Sequence, residues 1–307
     1  MATITGTDLD NTLVGTSVDD VISGLGANDV LQGLEGDDAL RGGGGDDTAL
    51  GGLGNDTVYG GLGDDLVLGE EGDDIVSGGA GNDRVYGGEG NDTLTGGSGD
   101  DMLYGGAGTN TIDGGDGNDL VVAGGGDDTV TGGSGFDTLD YSLAASGINA
   151  NLSTHLVTGY GNSTVSGVEN VIGSIFDDVL TGDKGANELY GSAGNDILRG
   201  KSGADTLFGG DGNDTYVFMK KDVILNGVHQ GVDRLADFRS NDSIDVRDFF
   251  KGNPPADVDQ ALKLTWDGSQ TTLSVDAGSG NFVDVATFAN HYISAPSSLV
   301  ADNIILV

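Results

Sequence analysis

Apolar residues recur every nine positions along the first 140 residues of the chain. Counting in nines from Leu13 gives an unbroken series in which only Ala49 is smaller than Val: Leu13, Ile22, Leu31, Leu40, Ala49, Val58, Val67, Val76, Val85, Leu94, Leu103, Ile112, Val121, Val130 and Leu139. An Asp or Asn stands two residues before each of them, and glycines crowd the positions before that acid. A period sustained this long indicates a repeat architecture.

The unit GGLGNDTVY, residues 51–59, predicts one short strand and one turn. We number its residues 1 to 9, so that Gly51 is position 1 and Asp56 is position 6. The two-residue strand period places Val58 on one face and its two neighbours on the other. Glycine accepts a positive φ and allows backbones to approach closely, so positions 1 to 6 form the turn. Two units make one coil of about 18 residues, and coils stack as parallel strands roughly 4.8 Å apart.

The charge of the chain limits its binding partners. Fifty acidic residues against twelve Lys and Arg give a formal net charge of -38. Such a surface repels nucleic acid and anionic membranes, and no apolar run approaches the 18 residues of a membrane span. Aromatic residues make up only 6% of the chain, a composition that normally predicts disorder. A bound cation could reverse that prediction.

The position-6 residues are predicted to form two columns, because alternate units return to the same edge of the stack. One column contains Asp20, Asp38, Asp56, Asp74, Asp92, Asn110 and Asp128, and the other contains Asn11, Asp29, Asp47, Asp65, Asp83, Asp101, Asp119 and Asp137. Stacked carboxylates repel one another unless a divalent cation lies between them. Carboxylate and carbonyl oxygens in a flexible turn favour Ca²⁺ over Zn²⁺ or Mg²⁺.

The units GGLGNDTVY, GGLGDDLVL, GGAGNDRVY and GGEGNDTLT resemble the GGxGxDxUx nonapeptide of RTX proteins, the calcium-binding repeats of type I secretion substrates. The resemblance implies a parallel β-roll in which several Ca²⁺ ions lie between turns one coil apart. It implies these metal ligands: Asp20, Asp29, Asp38, Asp47, Asp56, Asp65, Asp74, Asp83, Asp92, Asp101, Asp119, Asp128, Asp137, Asp178, Asp196, Asp205 and Asp214. Asn11, Asn110 and the glycine-poor turn before Asp20 depart from the motif, so we expect weak sites there.

The sequence predicts an all-β chain, a parallel β-roll (β-solenoid) in two arrays with a C-terminal mixed β cap. Residues 1–140 form the first array, residues 141–172 a spacer that continues the stack with a loop insertion, and residues 173–218 the second array. Residues 219–307 form the cap. Its segment DRLADFRSNDSIDVRDFF and its last residues, DNIILV, resemble the targeting domain of type I secretion substrates. This resemblance implies export by the type I secretion machinery and an extracellular location.

No catalytic motif emerges from the sequence. His155, His229 and His291 are far apart, and neither HExxH nor GxSxG occurs. Tyr86 and Tyr104, one coil apart, could form a sugar-binding platform. We therefore predict a secreted, non-catalytic Ca²⁺-binding protein with a surface, matrix or host-interaction role. The alternatives are the C-terminal RTX module of a secreted epimerase, lipase or protease, or of a large adhesin.

Overall fold

Each nine-residue repeat forms one strand and one turn, and successive strands alternate between two sheets. The computed structural model describes residues 1–225, 228–250, 261–278, 280–289 and 304–305. It divides into two compact units, residues 1–141 with 155–168, and residues 142–154 with 169–307. Both units are parallel β-rolls, so the predicted all-β fold class is confirmed.

The first unit contains two sheets, named here after a tyrosine in each. The Tyr59 sheet consists of Thr3–Thr5, Val21–Ser23, Ala39–Gly44, Thr57–Leu62, Ile75–Ala80, Thr93–Ser98, Thr111–Asp116, Thr129–Ser134, Asn162–Ser166 and Leu156–Thr158. The Tyr86 sheet consists of Thr12–Val14, Val30–Glu35, Thr48–Leu53, Leu66–Glu71, Arg84–Glu89, Met102–Ala107, Leu120–Val122 and Thr138–Asp140. Neighbouring strands pair in parallel with a shift of one coil, as Val58 with Val76 and Val85 with Leu103.

The spacer contributes a hairpin to the first unit. Leu156–Thr158 runs antiparallel to Asn162–Ser166, and Asn162–Ser166 pairs in parallel with Thr129–Ser134. Because Asn162–Ser166 occupies the next place in the stack, the spacer continues the roll and carries the hairpin as an addition. Val165 on this strand is buried among the interior residues.

The interior of the roll is a double row of aliphatic side chains. The position-8 residues from Ile22 to Leu139 are at most 1% exposed, whereas Leu13 in the first coil is half-buried. Positions 7 and 9 point outward, as the strand period requires. Each repeat contributes only one fully buried aliphatic side chain. The free energy gained by burying it is small compared with the conformational entropy lost in ordering nine residues.

The second unit begins as the same kind of roll. Its first sheet consists of Asn149–Asn151, Val179–Thr181, Ile197–Arg199, Thr215–Val217, Ser243–Asp245 and Ile304–Ile305. Its second sheet consists of Asn170–Ile172, Glu188–Tyr190, Thr206–Phe208, Asp233–Leu235, Phe282–Ala289, Gln270–Asp276 and Leu262–Trp266. The last three strands form an antiparallel meander, which gives the mixed β cap.

The parallel stack in the second unit extends beyond residue 218. Asp233–Leu235 pairs with Thr206–Phe208, and Ser243–Asp245 pairs with Thr215–Val217. Leu235 is buried at the place that the repeats give to position 8. The cap therefore continues the parallel stack, and Phe282–Ala289 and Ile304–Ile305 pair in parallel with these two strands in turn.

Short elements interrupt the stack between these strands. They are the helix Lys220–Val223 and the hairpin Ile224–Leu225 with Val228–His229, while the helix Arg247–Phe250 follows the strand Ser243–Asp245. Each helix has four residues, and no helix in the described ranges is long and apolar enough to cross a membrane. Apart from the strand Ile304–Ile305, the predicted targeting tail lies outside the described residues.

The two outer faces of the first unit differ in polarity. At position 9 the Tyr86 sheet carries one continuous apolar ladder of Leu50, Leu68, Tyr86, Tyr104 and Val122. At the same coil levels the Tyr59 sheet carries Tyr59, Ser77, Thr95, Asp113 and Thr131, of which only Tyr59 is aromatic.

The rings of Tyr86 and Tyr104 stack with centroids 4.5 Å apart and planes inclined by 3°. Each ring covers a face of the other, and Leu68 and Val122 are the next residues of the ladder on either side. A sugar platform requires an open ring face, so this stacking favours a packing role for the pair.

Candidate cation sites in the turns

The position-6 side chains are buried although they are acidic. From Asp20 to Asp137 each of them is at most 3% exposed. One carboxylate oxygen, Oδ1, accepts a hydrogen bond from the backbone N–H of the position-6 residue one coil earlier. The distance is 2.8 Å from Asp65 N to Asp83 Oδ1 and 2.7 Å from Asp83 N to Asp101 Oδ1. These bonds join the acids of each edge into the predicted column.

The second carboxylate oxygen, Oδ2, is buried without a hydrogen-bond donor. This holds for Asp29, Asp38, Asp47, Asp56, Asp65, Asp74, Asp83, Asp92, Asp101, Asp119, Asp128, Asp196, Asp205 and Asp214. A buried polar atom without a partner costs about 1–3 kcal/mol, and more when it is charged. The same unpaired oxygen recurs along both columns, which indicates that a positive group belongs beside these oxygens.

Burial raises the pKa of the carboxyl groups in these columns. Desolvation is the largest cause and neighbouring carboxylates add to it, while the N–H donor to Oδ1 acts in the opposite direction. The pKa rises to about 7 for Asp65, Asp74, Asp101 and Asp196, and to about 6 for Asp56, Asp205 and Asp214. Without a cation, the folded chain therefore holds protons that free aspartates would release.

Glycine predominates at three positions of these turns, although Leu25, Leu34, Glu70, Ser192 and Lys201 also take a left-handed backbone at position 2. Positions 2 and 4 have a left-handed backbone, as in Gly52 with φ 120° and Gly54 with φ 127°. A Cβ on Gly51 at position 1 would lie 2.4 Å from Asp56 Oδ2 and 2.7 Å from the carbonyl oxygen of Gly69. A carboxylate oxygen and a carbonyl oxygen of the next coil therefore share the space beside this glycine. We call a turn with positive φ at both positions 2 and 4 an open turn.

Four turns adopt a different, closed form. In these turns the position-2 residue is not left-handed, and its N–H donates to the position-6 side chain of the same turn. The position-2 and position-6 pairs are Thr7 with Asn11, Thr16 with Asp20, Ser174 with Asp178, and Asp183 with Asn187. They are the first two repeat turns of each unit.

The closed form occupies the oxygens of two predicted metal ligands. The N–H and the hydroxyl of Thr16 both lie 2.7 Å from Asp20 Oδ2, and the Ala2 N–H and this hydroxyl lower the pKa of Asp20. At Asp178, the Ser174 N–H lies 2.6 Å from Oδ2 and the Ser174 hydroxyl 2.9 Å from Oδ1. The other predicted ligands, from Asp29 to Asp137 together with Asp196, Asp205 and Asp214, lie in open turns.

Two features of the turns were not predicted from the sequence. Position-5 side chains form an exposed ladder in which each backbone N–H donates to the side chain one coil earlier, whereas in the position-6 columns it donates to the side chain one coil later. Asn55 N donates to Asp37 Oδ1 and Asp73 N to Asn55 Oδ1, both at 2.9 Å. Asp233 and Asp242 also extend the position-6 columns beyond the repeats. Their signal in the sequence is an Asp two residues before Leu235 or Ile244, without the nine-residue spacing.

The donor set fits Ca²⁺. Within the described ranges no three acidic or imidazole side chains converge on one point, so an ion would rest on one or two carboxylates and on turn carbonyls. Hard oxygen donors of mixed origin are the ligands that Ca²⁺ takes in flexible loops. A zinc site would instead require nitrogen or sulfur ligands in tetrahedral order.

The sequence and the structure were compared with known proteins. The family described as RTX calcium-binding nonapeptide repeat (4 copies) matches residues 5–40, 32–67, 41–76, 68–103, 104–139, 157–198, 172–207 and 190–218. The solved AlgE6R3 subunit of the Azotobacter vinelandii mannuronan C5-epimerase is 30% identical over 45% of this chain and 78% of its own, with a TM-score of 0.37. The extracellular lipase LipA of Serratia marcescens is 19% identical over 73% of this chain and 42% of its own, with a TM-score of 0.26. A search of curated proteins gives no significant match.

Proposed function

Because the chain belongs to the family of RTX calcium-binding nonapeptide-repeat proteins, we propose that it is a secreted protein whose rolls fold when extracellular Ca²⁺ fills the open turns. The observation that carries this proposal is the row of buried Oδ2 atoms without donors. Oxygens of this kind occur throughout both columns, and a divalent cation neutralises the acids and supplies the missing partner. Ca²⁺ would be held by the open-turn aspartates and by carbonyls of the adjoining turns.

Calcium binding and folding are coupled in this proposal. The chain carries a formal charge of -38, and its aliphatic rows are too thin to offset that repulsion and the ordering of the backbone. A metal site that is absent from the unfolded chain contributes its binding energy to folding. Calcium sites of extracellular modules have dissociation constants of about 10⁻⁴ to 10⁻³ M. The chain would thus stay unfolded where Ca²⁺ is scarce and fold after export.

We propose no catalytic role for the chain. The described acids in the turns are accounted for by two hydrogen-bonded columns, and the imidazole of His155 lies 3.1 Å from the carbonyl oxygen of Val165 in the spacer hairpin. Neither feature pairs a nucleophile with a base. The folded rolls would act by binding Ca²⁺ and by presenting their surfaces outside the cell.

A calcium titration of the full chain tests the proposed function. We expect several Ca²⁺ ions to bind per chain by isothermal titration calorimetry, and Mg²⁺ at the same concentration to give no comparable signal. Asp83→Ala removes a buried carboxylate, and we expect it to raise the calcium midpoint roughly tenfold. Asn110→Ala is the matched control, since its neutral amide leaves that site without the charge. Equal midpoints for the two variants would contradict the role of the columns.

We also propose that the C-terminal tail directs type I export, on the basis of the sequence resemblance of the cap and of the last residues. Deleting residues 290–307 is expected to abolish export from cells that carry a type I secretion system. The deletion leaves every repeat of the first unit intact, so calcium binding by residues 1–140 should persist. Normal export of the shortened chain, measured in the culture medium, would remove this role from the tail.

A further inference from the structure

Asp233 occupies position 6 of a turn that lies outside the matched repeats, which end at residue 218. Its strand pairs in parallel with Thr206–Phe208, with Leu235 opposite Leu207 in the interior. Asp205 N donates to Asp233 Oδ1 at 3.2 Å, just as Asn187 N donates to Asp205 Oδ1 at 2.9 Å. Asp233 is therefore the next acid in the column that contains Asp205.

The turn before Asp233 shares features with the open turns. Gly231 stands at position 4 with φ 135°, and a Cβ there would lie 1.7 Å from the carbonyl oxygen of Gly203, so only glycine fits. Gly203 N donates to the Gln230 carbonyl at 3.1 Å, which repeats the bond between position 4 of one coil and position 3 of the next. An inserted helix and hairpin thus precede a turn that keeps the left-handed position 4 of the open turns, whereas position 2, His229, lies in the strand Val228–His229.

Asp205 and Asp233 bring two carboxyl groups together in a buried place. Asp205 is 1% exposed and its Oδ2 has no donor, while Asp233 is 6% exposed. Burial disfavours the charged form of both groups, and the charge of Asp205 repels that of Asp233. Two adjacent buried carboxyl groups require a proton or a cation between them.

Two basic side chains of this region, Arg199 and Lys201, are engaged elsewhere. Arg199 donates to Asp222 Oδ2 through Nε at 2.8 Å and through Nη2 at 2.5 Å. The ammonium group of Lys201 lies 3.4 Å from the Asn151 side chain. Asp183 and Asp222, the other charged groups that act on the pair, are acidic and add to the repulsion. Asp205 and Asp233 are thus left without a protein counter-ion among these contacts.

Asp242, which ends the other column of the second unit, has a different environment. Asp214 N donates to Asp242 Oδ1 at 3.2 Å, as the column requires, but Arg239 N donates to Asp242 Oδ2 at 2.7 Å. Burial raises the pKa of Asp242, and the N–H donors of Arg239 and Asp214 together with the charge of Arg239 act in the opposite direction. Both oxygens of Asp242 therefore have donors, and an arginine is nearby.

We propose that Asp205 and Asp233 hold a divalent cation, Ca²⁺ by the chemistry of the donors, in a site that residue 233 completes from outside the nine-residue repeats. This inference rests on the proposed calcium-dependent function and extends it to the cap. The ion links the segment around Gly231 to the last repeats. The cap is thus attached to the roll by a calcium ion of the kind proposed for the open turns.

Native mass spectrometry of the full chain in millimolar Ca²⁺ tests this site, because it counts bound ions. We expect Asp233→Asn to bind one ion fewer than the wild type. Asp242→Asn makes the same change at the same place in the other column and should keep the wild-type count. An unchanged count in Asp233→Asn, or the loss of one ion in both variants, would overturn the proposal.

A second variant at residue 233 covers the case in which Asp233→Asn does not fold. If Asp233→Asn does not fold, Asp233→Glu replaces it, and we expect one ion to require at least about fivefold more Ca²⁺. A wild-type ion distribution in Asp233→Glu would then reject the site. A wild-type chain that binds no Ca²⁺ would refute the proposed function itself, whereas a calcium-loaded wild type with an unaffected Asp233 variant refutes only this inference.

Discussion

In metal-free buffer at pH 8 the chain is expected to lose most of its β-sheet circular dichroism signal, and acidification to pH 5 is expected to restore it without calcium. The pKa of Asp65, Asp74 and Asp101 is raised to about 7 in the folded chain, against an ordinary value of 3.8. Folding therefore takes up protons between about pH 4 and pH 7, and stability falls as pH rises through this window. Above it only a cation can neutralise the columns.

Calcium and protons compete for the same oxygens. Lower pH should therefore favour folding without calcium and at the same time weaken calcium binding. With calcium limiting, the calcium midpoint is expected to rise as pH falls from 7 to 5, because each ion must displace protons. Far-UV circular dichroism without calcium at several pH values measures the effect of protons on folding. Isothermal titration calorimetry at the same pH values measures the calcium midpoint, and Mg²⁺ serves as the control. A full β signal at pH 8 in metal-free buffer would contradict coupled folding, and a coil spectrum at pH 5 would contradict the proton linkage.

Gly97→Val is expected to remove at least one calcium ion and to destabilise the calcium-loaded protein by roughly 2–4 kcal/mol. Gly97 stands at position 2 with φ 126°, and a Cβ there would lie 2.0 Å from the carbonyl oxygen of Gly79. A β-branched residue does not take this left-handed conformation. The turn should then close as at Thr16, with the N–H of residue 97 donating to Asp101 Oδ2.

Gly97→Asn is the matched control for this prediction. Residues without a branched Cβ fit position 2 at a smaller positive φ, as Leu34 with φ 88° and Glu70 with φ 82°. Asparagine also tolerates the left-handed region, so we expect a loss of no more than about 1 kcal/mol and an unchanged ion count. Chemical denaturation in saturating calcium gives the stability difference, and native mass spectrometry gives the ion count. If Val and Asn at residue 97 behave alike, the left-handed backbone at position 2 does not control the site.

The nine-residue period was sufficient to predict the interior of the first unit and its acidic columns. Val58, Val85 and their equivalents from Ile22 onward are buried as predicted. Strand alternation points positions 7 and 9 outward and therefore points position 8 into the interior. The ten consecutive strands from Val30–Glu35 to Thr111–Asp116 are longer than predicted, however. Thr57–Leu62 has six residues because Gly60 and Gly61 follow the strand into the ladder, and Gly61 lies opposite Gly79. Glycine propensity alone predicts a turn there.

The closed turns and the last acids of the columns could not be predicted from the repeat pattern. Ser174 closes its turn, while Ser192, also at position 2, is left-handed with φ 79° in an open turn. The residue at position 2 therefore does not decide the form by itself. Asp233 stands 28 residues after Asp205 rather than 18, since a helix and a hairpin intervene, and no fixed period identifies it.

The register of one coil also governs how an array of this kind can change its length during evolution. Arg84 pairs with Met102, so each strand lies beside the strand two repeats away and not beside its neighbour in the sequence. A duplication of one repeat would send every later strand to the opposite sheet, moving the Tyr86 ladder to the polar face. A duplication of two repeats would leave both faces and both columns in phase. Viable insertions and deletions should therefore come in pairs of repeats.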